Sequence, residues 1–453
     1  MKKIHFIAMG GSVMHQLAIA LSEKGYRVTG SDDEIYEPAR SNLEKAGLLP
    51  IHQGWDPEQI TPDLDAVILG MHAREDNPEI IRARSLQIPL FSFPEYVFRE
   101  SVDKTRVVIG GSHGKTTITS MILHVLRTRG KDFDYLVGAQ LPGFAHSVRI
   151  SDAPLIVCEG DEYPASALQK IPKFLFYHPR IAVLSGIAWD HINVFPTLDN
   201  YLEQFARFIR EMEPAGILIY NENDPALVSL VQQHGKHLQL IAYGMPEYHI
   251  KDGRTTVRFN QHTVSLQVFG AHNLQNLCAA KLVCQMLGMG EEEFLGAIGS
   301  FTGASRRLEK VFDIQGAAIF RDFAHAPSKV RASIGALREQ FPDRTLIAVL
   351  ELHTYSSLNA AFLSEYRHAM DQADTAAVFY SNHALEIKRL PPLSPALIRK
   401  GFDRKDLQVL ENVEDLASFL AQQPTGNANL LMMSSGSFEA TSIAKMTWLW
   451  QKN

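Results

Sequence analysis

Residues 107–126, VVIGGSHGKTTITSMILHVL, decide how the chain is read. The run opens on the β-type residues Val107 to Ile109 and turns on Gly110 and Gly111. From Lys115 it continues with Ile118, Met121, Ile122, Val125 and Leu126 at helical spacing. Strand, glycine turn and helix start, in that order, form a cradle in which backbone N–H groups and the positive end of a helix dipole face an anion. In such a loop Lys115 reaches a β/γ-phosphate and Thr116 offers its hydroxyl to Mg²⁺. The general P-loop pattern would place its first glycine where Ile109 stands. The motif is therefore G-S-H-G-K-T-T: Gly111, Ser112, His113, Gly114, Lys115, Thr116 and Thr117. A glycine turn before an ordinary helix is the plainer alternative, and the strand–loop–helix context favours an ATP or GTP site.

A chain of 453 residues exceeds what one hydrophobic core supports, and about three domains are expected. Its 45% hydrophobic and 21% charged content are those of a globular protein. A formal charge of −6 argues against a nucleic-acid surface, and no basic run contradicts that. Cys158, Cys278 and Cys284 are too few and too scattered for a disulfide framework. The N-terminal MKKIHFIAMGG is not expected to be a signal peptide, because its apolar run is short, holds His5 and ends in glycines. No stretch reaches the roughly 18 apolar residues of a spanning helix. These features predict a soluble, cytoplasmic protein with no membrane or nucleic-acid partner.

Outward from the central motif, residues 3–9 read as a buried strand, Gly10 and Gly11 as a turn, and residues 13–24 as a helix. Val28 to Gly30 follows as a strand ending in Ser31, Asp32 and Asp33, a βαβ opening of Rossmann type. The dinucleotide fingerprint fails, since G-x-G-x-x-G would need glycine at Ser12 and His15. That disfavours a nicotinamide dehydrogenase. Residues 66–69 and 90–93 are further strands. The polar stretch 99–106 is a linker.

The region from about 105 to 300 alternates strands and helices, which predicts α/β architecture with a largely parallel sheet. Strand 155–158 runs into Glu159, Asp161 and Glu162; strand 181–185 runs into Asp190 and His191. Ligands gather at the carboxyl ends of parallel strands, and hard oxygens plus one imidazole suit a Mg²⁺ held by phosphates. Gly270, Ala271, His272 and Asn273 lead into a helix, as a base-edge loop or a simple cap. After a second linker at 299–304 the chain is again α/β, with strands at 317–320, 346–350, 376–380 and 430–433. The predicted domains are 1–104, 105–301 and 302–453.

Together these stretches resemble the Mur ligase family, ATP-dependent enzymes that build the peptidoglycan precursor. GGSVMH with GSDD is similar to the family's UDP-sugar domain, GSHGKTT to its P-loop, EGDEY to its magnesium-glutamate motif and WDH to its second metal motif. GAHNLQN is similar to its adenine-proximal loop, and SRRLE with RDFAHAP to its C-terminal domain. The resemblance implies a Rossmann-like UDP-sugar domain, a central P-loop ATPase-like domain and a Rossmann-like C-terminal domain that closes over ATP. KFLFYHPRIAVL, GSFTGASRRLE and LLMMSSGSF look closer to the muropeptide ligase branch, which joins UDP-N-acetylmuramate to L-Ala-γ-D-Glu-meso-diaminopimelate. The L-alanine-adding branch is the alternative.

The implied chemistry activates the lactyl carboxylate of the muramyl sugar as an acyl phosphate, which an amine then attacks. By resemblance, Lys115, Glu159 and His191 are catalytic, and Thr116, Glu159 and His191 hold Mg²⁺. Asn273 lies near adenine, Arg307, Asp322 and His325 contact the nucleotide, Gly11, Ser12, His15 and Asp32 hold the UDP moiety, and His353 meets the acceptor. Three departures stand out. The family's N-x-E-x-D-H reads G-I-A-W-D-H, with Gly186 and Ala188 at the amide and carboxylate positions. No lysine lies between Lys173 and Lys236 to be carbamylated. The acceptor segment ELHTYSSLN lacks an arginine. A reading from another class is a P-loop switch protein, which would need neither a UDP-sugar domain nor the Asp190/His191 pair.

Overall fold

The computed structural model describes residues 1–189, 194–314, 316–439, 445–446 and 450. The chain forms two compact units. The first comprises residues 1–187, 198–244 and 279–297; the second comprises 188–197, 245–278 and 298–453.

The first unit holds two sheets. Strands β1 (Lys3–Ile7), β2 (Arg27–Ser31), β3 (Ala66–Leu69) and β4 (Leu90–Ser92) make a four-stranded sheet in the order β2-β1-β3-β4. All its pairings are parallel. Strands β5 (Thr105–Gly110), β6 (Asp134–Leu136), β7 (Val148–Arg149), β8 (Leu155–Glu159), β9 (Ile181–Leu184), β10 (Ile217–Asn221) and β11 (Gln239–Tyr243) make a seven-stranded sheet. Its order is β11-β10-β9-β5-β8-β6-β7, and β7 alone runs antiparallel to its neighbour. The central strands are apolar on both faces, as a sheet covered by helices on both sides requires. Val107, Val108 and Ile109 are fully buried, as are Ala182 and Val183. β5 pairs with both β8 and β9, so the P-loop and the stretch from Glu159 to Glu162 leave adjacent strands at the same edge.

A polar contact of Gln16 with Ser147 joins the two sheets, while Glu100 gathers three donors beside the four-stranded sheet. Glu100 accepts from Lys2, Lys24 and Tyr26, and Gln16 Oε1 accepts from the backbone N–H of Ser147 at 3.1 Å.

In the second unit, β12 (Glu247–Lys251), β13 (Arg254–Phe259) and β14 (His262–Leu266) form an antiparallel meander. Strands β15 (Glu309–Ile314), β16 (Ala317–Asp322), β17 (Thr345–Leu352), β18 (Thr375–Tyr380), β19 (Gln408–Leu410) and β20 (Ala428–Met433) form a six-stranded sheet in the order β15-β16-β20-β17-β18-β19. It is parallel except at β15. One face packs Phe320 and Leu350 against Val330 and Ile334 of the helix Pro327–Gln340, and the other packs Ile319, Ile347 and Phe379.

The α/β class and mostly parallel sheets are as the sequence predicts. The meander departs from the parallel expectation for residues 105–300. The turn at Asp252 and Gly253, both at positive φ (51° and 69°), closes its first hairpin, as an Asp-Gly pair between extended strands does.

Candidate functional site

The phosphate loop lies between β5 and the helix Lys115–Thr128. Two of its glycines are required by the backbone. Gly111 has φ 122°, and a Cβ there would come within 2.9 Å of the Ser185 backbone nitrogen. Gly114 caps the helix in the left-handed conformation at φ 80°. The end of β9 holds the loop in place. Ser112 donates its backbone N–H to Gly186 O at 2.9 Å, and the Ser185 hydroxyl donates to His113 O.

That contact gives a physical reason for one sequence departure. Gly186 has φ 139°, a backbone state that favours glycine over the family's asparagine, and a Cβ would meet Asp224 Oδ2 at 3.0 Å. Asp224 instead accepts from the Ile187 N–H at 2.5 Å.

Lys115 Nζ donates to Gly111 O at 2.7 Å and to Glu162 Oε2 at 2.6 Å. Burial works against the charge, but Glu162, Asp161 and Glu159 outweigh it and hold the ammonium above its ordinary range. Thr116 donates to Glu159 Oε1 at 2.8 Å, and the Gly138 N–H donates to Oε2 at 2.9 Å. Two of the three residues expected to hold Mg²⁺, Thr116 and Glu159, therefore touch, and their hard oxygens fit that ion. Thr117 is buried one residue further on. Asp190 and His191 lie outside the described residues.

Sequence reasoning missed Tyr201, on the helix Leu198–Glu211, which is fully buried. Its hydroxyl donates to Glu162 Oε1 at 3.0 Å and lies 2.8 Å from Ser112 Oγ. No local pattern announces it, because it reaches the loop from 89 residues away.

At the carboxyl ends of β1 and β2, Asp32 Oδ2 accepts from the Gly10 N–H at 2.6 Å. A carboxylate in this place of a βαβ unit is suited to ribose hydroxyls. Gly11 caps the helix that Ser12 begins. His15 is buried, and its Nδ1 lies 2.8 Å from Gly11 O while Nε2 faces the side-chain amides of Gln16 and Asn42. These contacts make Nδ1–H the donor to the carbonyl and Nε2 the acceptor from the two amides, and burial lowers the ring's pKa. Its ring thus braces the turn from within. His72 joins this end unforeseen, with Nδ1 4.0 Å from one oxygen each of Asp32 and Asp33.

In the second unit, Asn273, Arg307, Asp322 and His325 gather around the carboxyl end of β16. Asn273 Nδ2 donates to Phe269 O at 2.9 Å, and the Phe269 ring packs edge-on against Phe320. Asp322 accepts from the Ser333 hydroxyl and opposes the burial that lowers the His272 pKa. The Arg307 guanidinium lies 4.5 Å from the Phe323 ring, and His325 Nδ1 lies 2.8 Å from Phe323 O.

His353 follows β17. Its Nδ1 lies 3.8 Å from buried Glu351 Oε1, while Glu351 Oε2 accepts from Ser434 and from the Phe438 N–H. Ser357 is fully buried and bonded to Thr354. Among the hydroxyls of this segment, Tyr355 is the exposed one. Lys388, on the helix Asn382–Lys388, sits over its ring at 5.6 Å. No local pattern in the acceptor segment points to that cation, which lies on a different element.

Residues 3–98 match the Mur ligase family catalytic-domain description, 109–284 its middle domain and 306–436 its glutamate ligase domain. A UDP-N-acetylmuramate–L-alanine ligase of Aquifex aeolicus is 31% identical over 78% of each chain. A UDP-N-acetylmuramate–L-alanyl-γ-D-glutamyl-meso-2,6-diaminoheptandioate ligase of Haemophilus influenzae is 27% identical over 97% of each. The crystal structure of the UDP-N-acetylmuramate–alanine ligase of Thermotoga maritima shares the fold over 100% of both chains, with a TM-score of 0.73 at 22% identity. Among the described residues no helix is long and apolar enough to cross a membrane.

Proposed function

The chain belongs to the Mur ligase family of ATP-dependent, ADP-forming peptidoglycan ligases, and from that premise we propose that its acceptor is the tripeptide L-Ala-γ-D-Glu-meso-diaminopimelate. The carboxylate it activates is the lactyl group of UDP-N-acetylmuramate. Lys115 orients the phosphate chain, and Asp32 with the turn at Gly11 and Ser12 receives the UDP moiety. Thr116 and Glu159 are the residues that would hold Mg²⁺, with His191 as a further ligand. The ion supplies neutralisation of the charge that develops in phosphoryl transfer.

The observation that carries the acceptor assignment is the cluster Glu351, His353, Tyr355 and Lys388 at the ends of β17 and β18. It offers a buried carboxylate, an imidazole, a phenol and one ammonium. A pocket for a lone L-alanine carboxylate is best served by a planar guanidinium fork, and ELHTYSSLN has none. A tripeptide brings an amine and several carboxylates and amides, so its binding spreads over such mixed groups. Both kinds of ligase occur among the relatives, so the L-alanine reaction is the second reading.

Phosphate release with ATP, UDP-N-acetylmuramate and each acceptor in turn tests the assignment. The expected result is a higher kcat/KM for the tripeptide; a higher value for free L-alanine reverses it.

A further inference from the structure

We propose that Glu162 is a built-in counter-charge for the phosphate-loop lysine and that Tyr201 ties it to the loop, so that together they set the affinity for nucleotide phosphates. The inference rests on the reading of GSHGKTT as the ATP phosphate site.

Four side chains carry it. Lys115 donates to Glu162 Oε2 at 2.6 Å. Tyr201 donates to Glu162 Oε1 at 3.0 Å, and its oxygen lies 2.8 Å from Ser112 Oγ. Ser112 and Lys115 belong to one loop, so the chain of contacts closes into a ring through that loop. Glu162 is almost fully enclosed, with 1% of its side chain exposed. The neighbouring acids have other partners: Asp161 pairs with Lys173 at 2.6 Å, and Glu159 accepts from Thr116 and Gly138. Glu162 is thus the carboxylate placed on the lysine.

This arrangement has two opposing effects. The ring fixes the direction of the ammonium, which a phosphoryl-transfer site needs before substrate arrives. It also places a negative charge at contact distance from the group that must receive a polyphosphate. In a buried site that repulsion is poorly screened. The geometry therefore exchanges ground-state affinity for orientation, and Glu162 and Tyr201 are positioning residues acting through Lys115.

The test titrates the full-length protein calorimetrically with Mg²⁺ and the non-hydrolysable analogue AMP-PNP, with steady-state phosphate release and thermal unfolding measured in parallel. Glu162→Gln keeps the shape and removes the charge, and its amide has one acceptor oxygen where the carboxylate has two, so it no longer accepts from both Lys115 and Tyr201. It is expected to bind AMP-PNP about tenfold tighter, the equivalent of one pK unit of charge interaction, while kcat falls roughly threefold or more as the ammonium loses its fixed direction. Tyr201→Phe keeps the charge and opens the ring, so kcat falls without tighter binding. A purely structural role would instead weaken nucleotide binding and lower the unfolding midpoint together. Unchanged or weaker binding by folded Glu162→Gln overturns the proposal. Wild-type protein that takes up no AMP-PNP overturns the phosphate-site reading itself.

Discussion

Thr116 donates its hydroxyl proton to Glu159 Oε1 across 2.8 Å, joining the first turn of the helix Lys115–Thr128 to the end of β8. Both oxygens are hard donors, and a shared cation would sit against both. Glu159→Ala is expected to raise the Mg²⁺ concentration for half-maximal turnover by about tenfold or more, and to lower kcat at saturating metal. A magnesium titration of phosphate release measures both. An unchanged titration would mean that Glu159 serves only to hold the Thr116 hydroxyl and the Gly138 N–H.

Lys115→Ala should abolish turnover, since removing one charged contact from a phosphoryl-transfer site costs roughly 3 kcal/mol or more of barrier. The same substitution leaves Glu162 buried without its cation, which should cost about 3 kcal/mol of stability. Adding Glu162→Gln to Lys115→Ala is expected to restore much of that stability and none of the activity. Denaturant unfolding with the ligation assay separates the two effects. A single variant as stable and as active as wild type would remove the lysine from the site.

Gly111→Ala tests the loop geometry itself. The new methyl would lie 2.9 Å from Ser185 N and 3.1 Å from Gly186 O, on a backbone at φ 122°. Those are main-chain atoms, so relief requires the end of β9 to move, and a cost of about 2–4 kcal/mol is expected. The unfolding midpoint should fall, and AMP-PNP binding with it. A variant as stable as wild type would show that the loop has an alternative path.

The phosphate loop was legible in the sequence because its requirements are local: a strand, two glycines at positive φ and a helix start within a few residues. The parallel sheets were legible for the same reason, since strands buried on both faces are continuous apolar runs. Tyr201 and Lys388 were not, because each reaches its partner across the fold, and a tyrosine or lysine on a helix carries no sign of what it faces. His15 stands in between: its place beside the glycine turn is legible, while the partners of its ring, Gly11, Gln16 and Asn42, come partly from another helix and are not. The meander at 247–266 did have a local sign in Asp252-Gly253, outweighed by the α/β rhythm of its surroundings.

Asp32 should leave a mark on the pH dependence of stability. Burial first, and the adjacent Asp33 second, push its carboxyl up to about 6, against about 4 for an unfolded chain. Between those values the folded protein binds more protons than the unfolded one, so this group favours folding below about pH 4 and loses that contribution as pH rises through about 6. Asp32→Asn is therefore expected to lose less stability than wild type between pH 4 and 7, read from denaturant midpoints at a series of pH values. Parallel curves for the two proteins would show an ordinary carboxylate.

Lys388 tests the acceptor pocket. Burial lowers the His353 pKa, with Lys388 adding to the effect and Glu351 opposing it. At neutral pH His353 is then the uncharged partner and Lys388 the cation beside Tyr355. If the acceptor's carboxylate meets that ammonium, Lys388→Met should raise the KM for the acceptor by roughly tenfold, a loss of about 1.4 kcal/mol typical of a hydrogen bond to a charged group. The KM for ATP should move far less, because its phosphates are assigned to the loop at 111–117. Lys388→Arg keeps the charge and should recover most of the loss. The two acceptors add a control: a tripeptide with several anchoring groups should lose proportionally less than L-alanine when one cation is removed. If Lys388→Met leaves the acceptor KM untouched while the protein folds normally, the cluster at the ends of β17 and β18 is not where the acceptor binds, and the tripeptide assignment loses its main support.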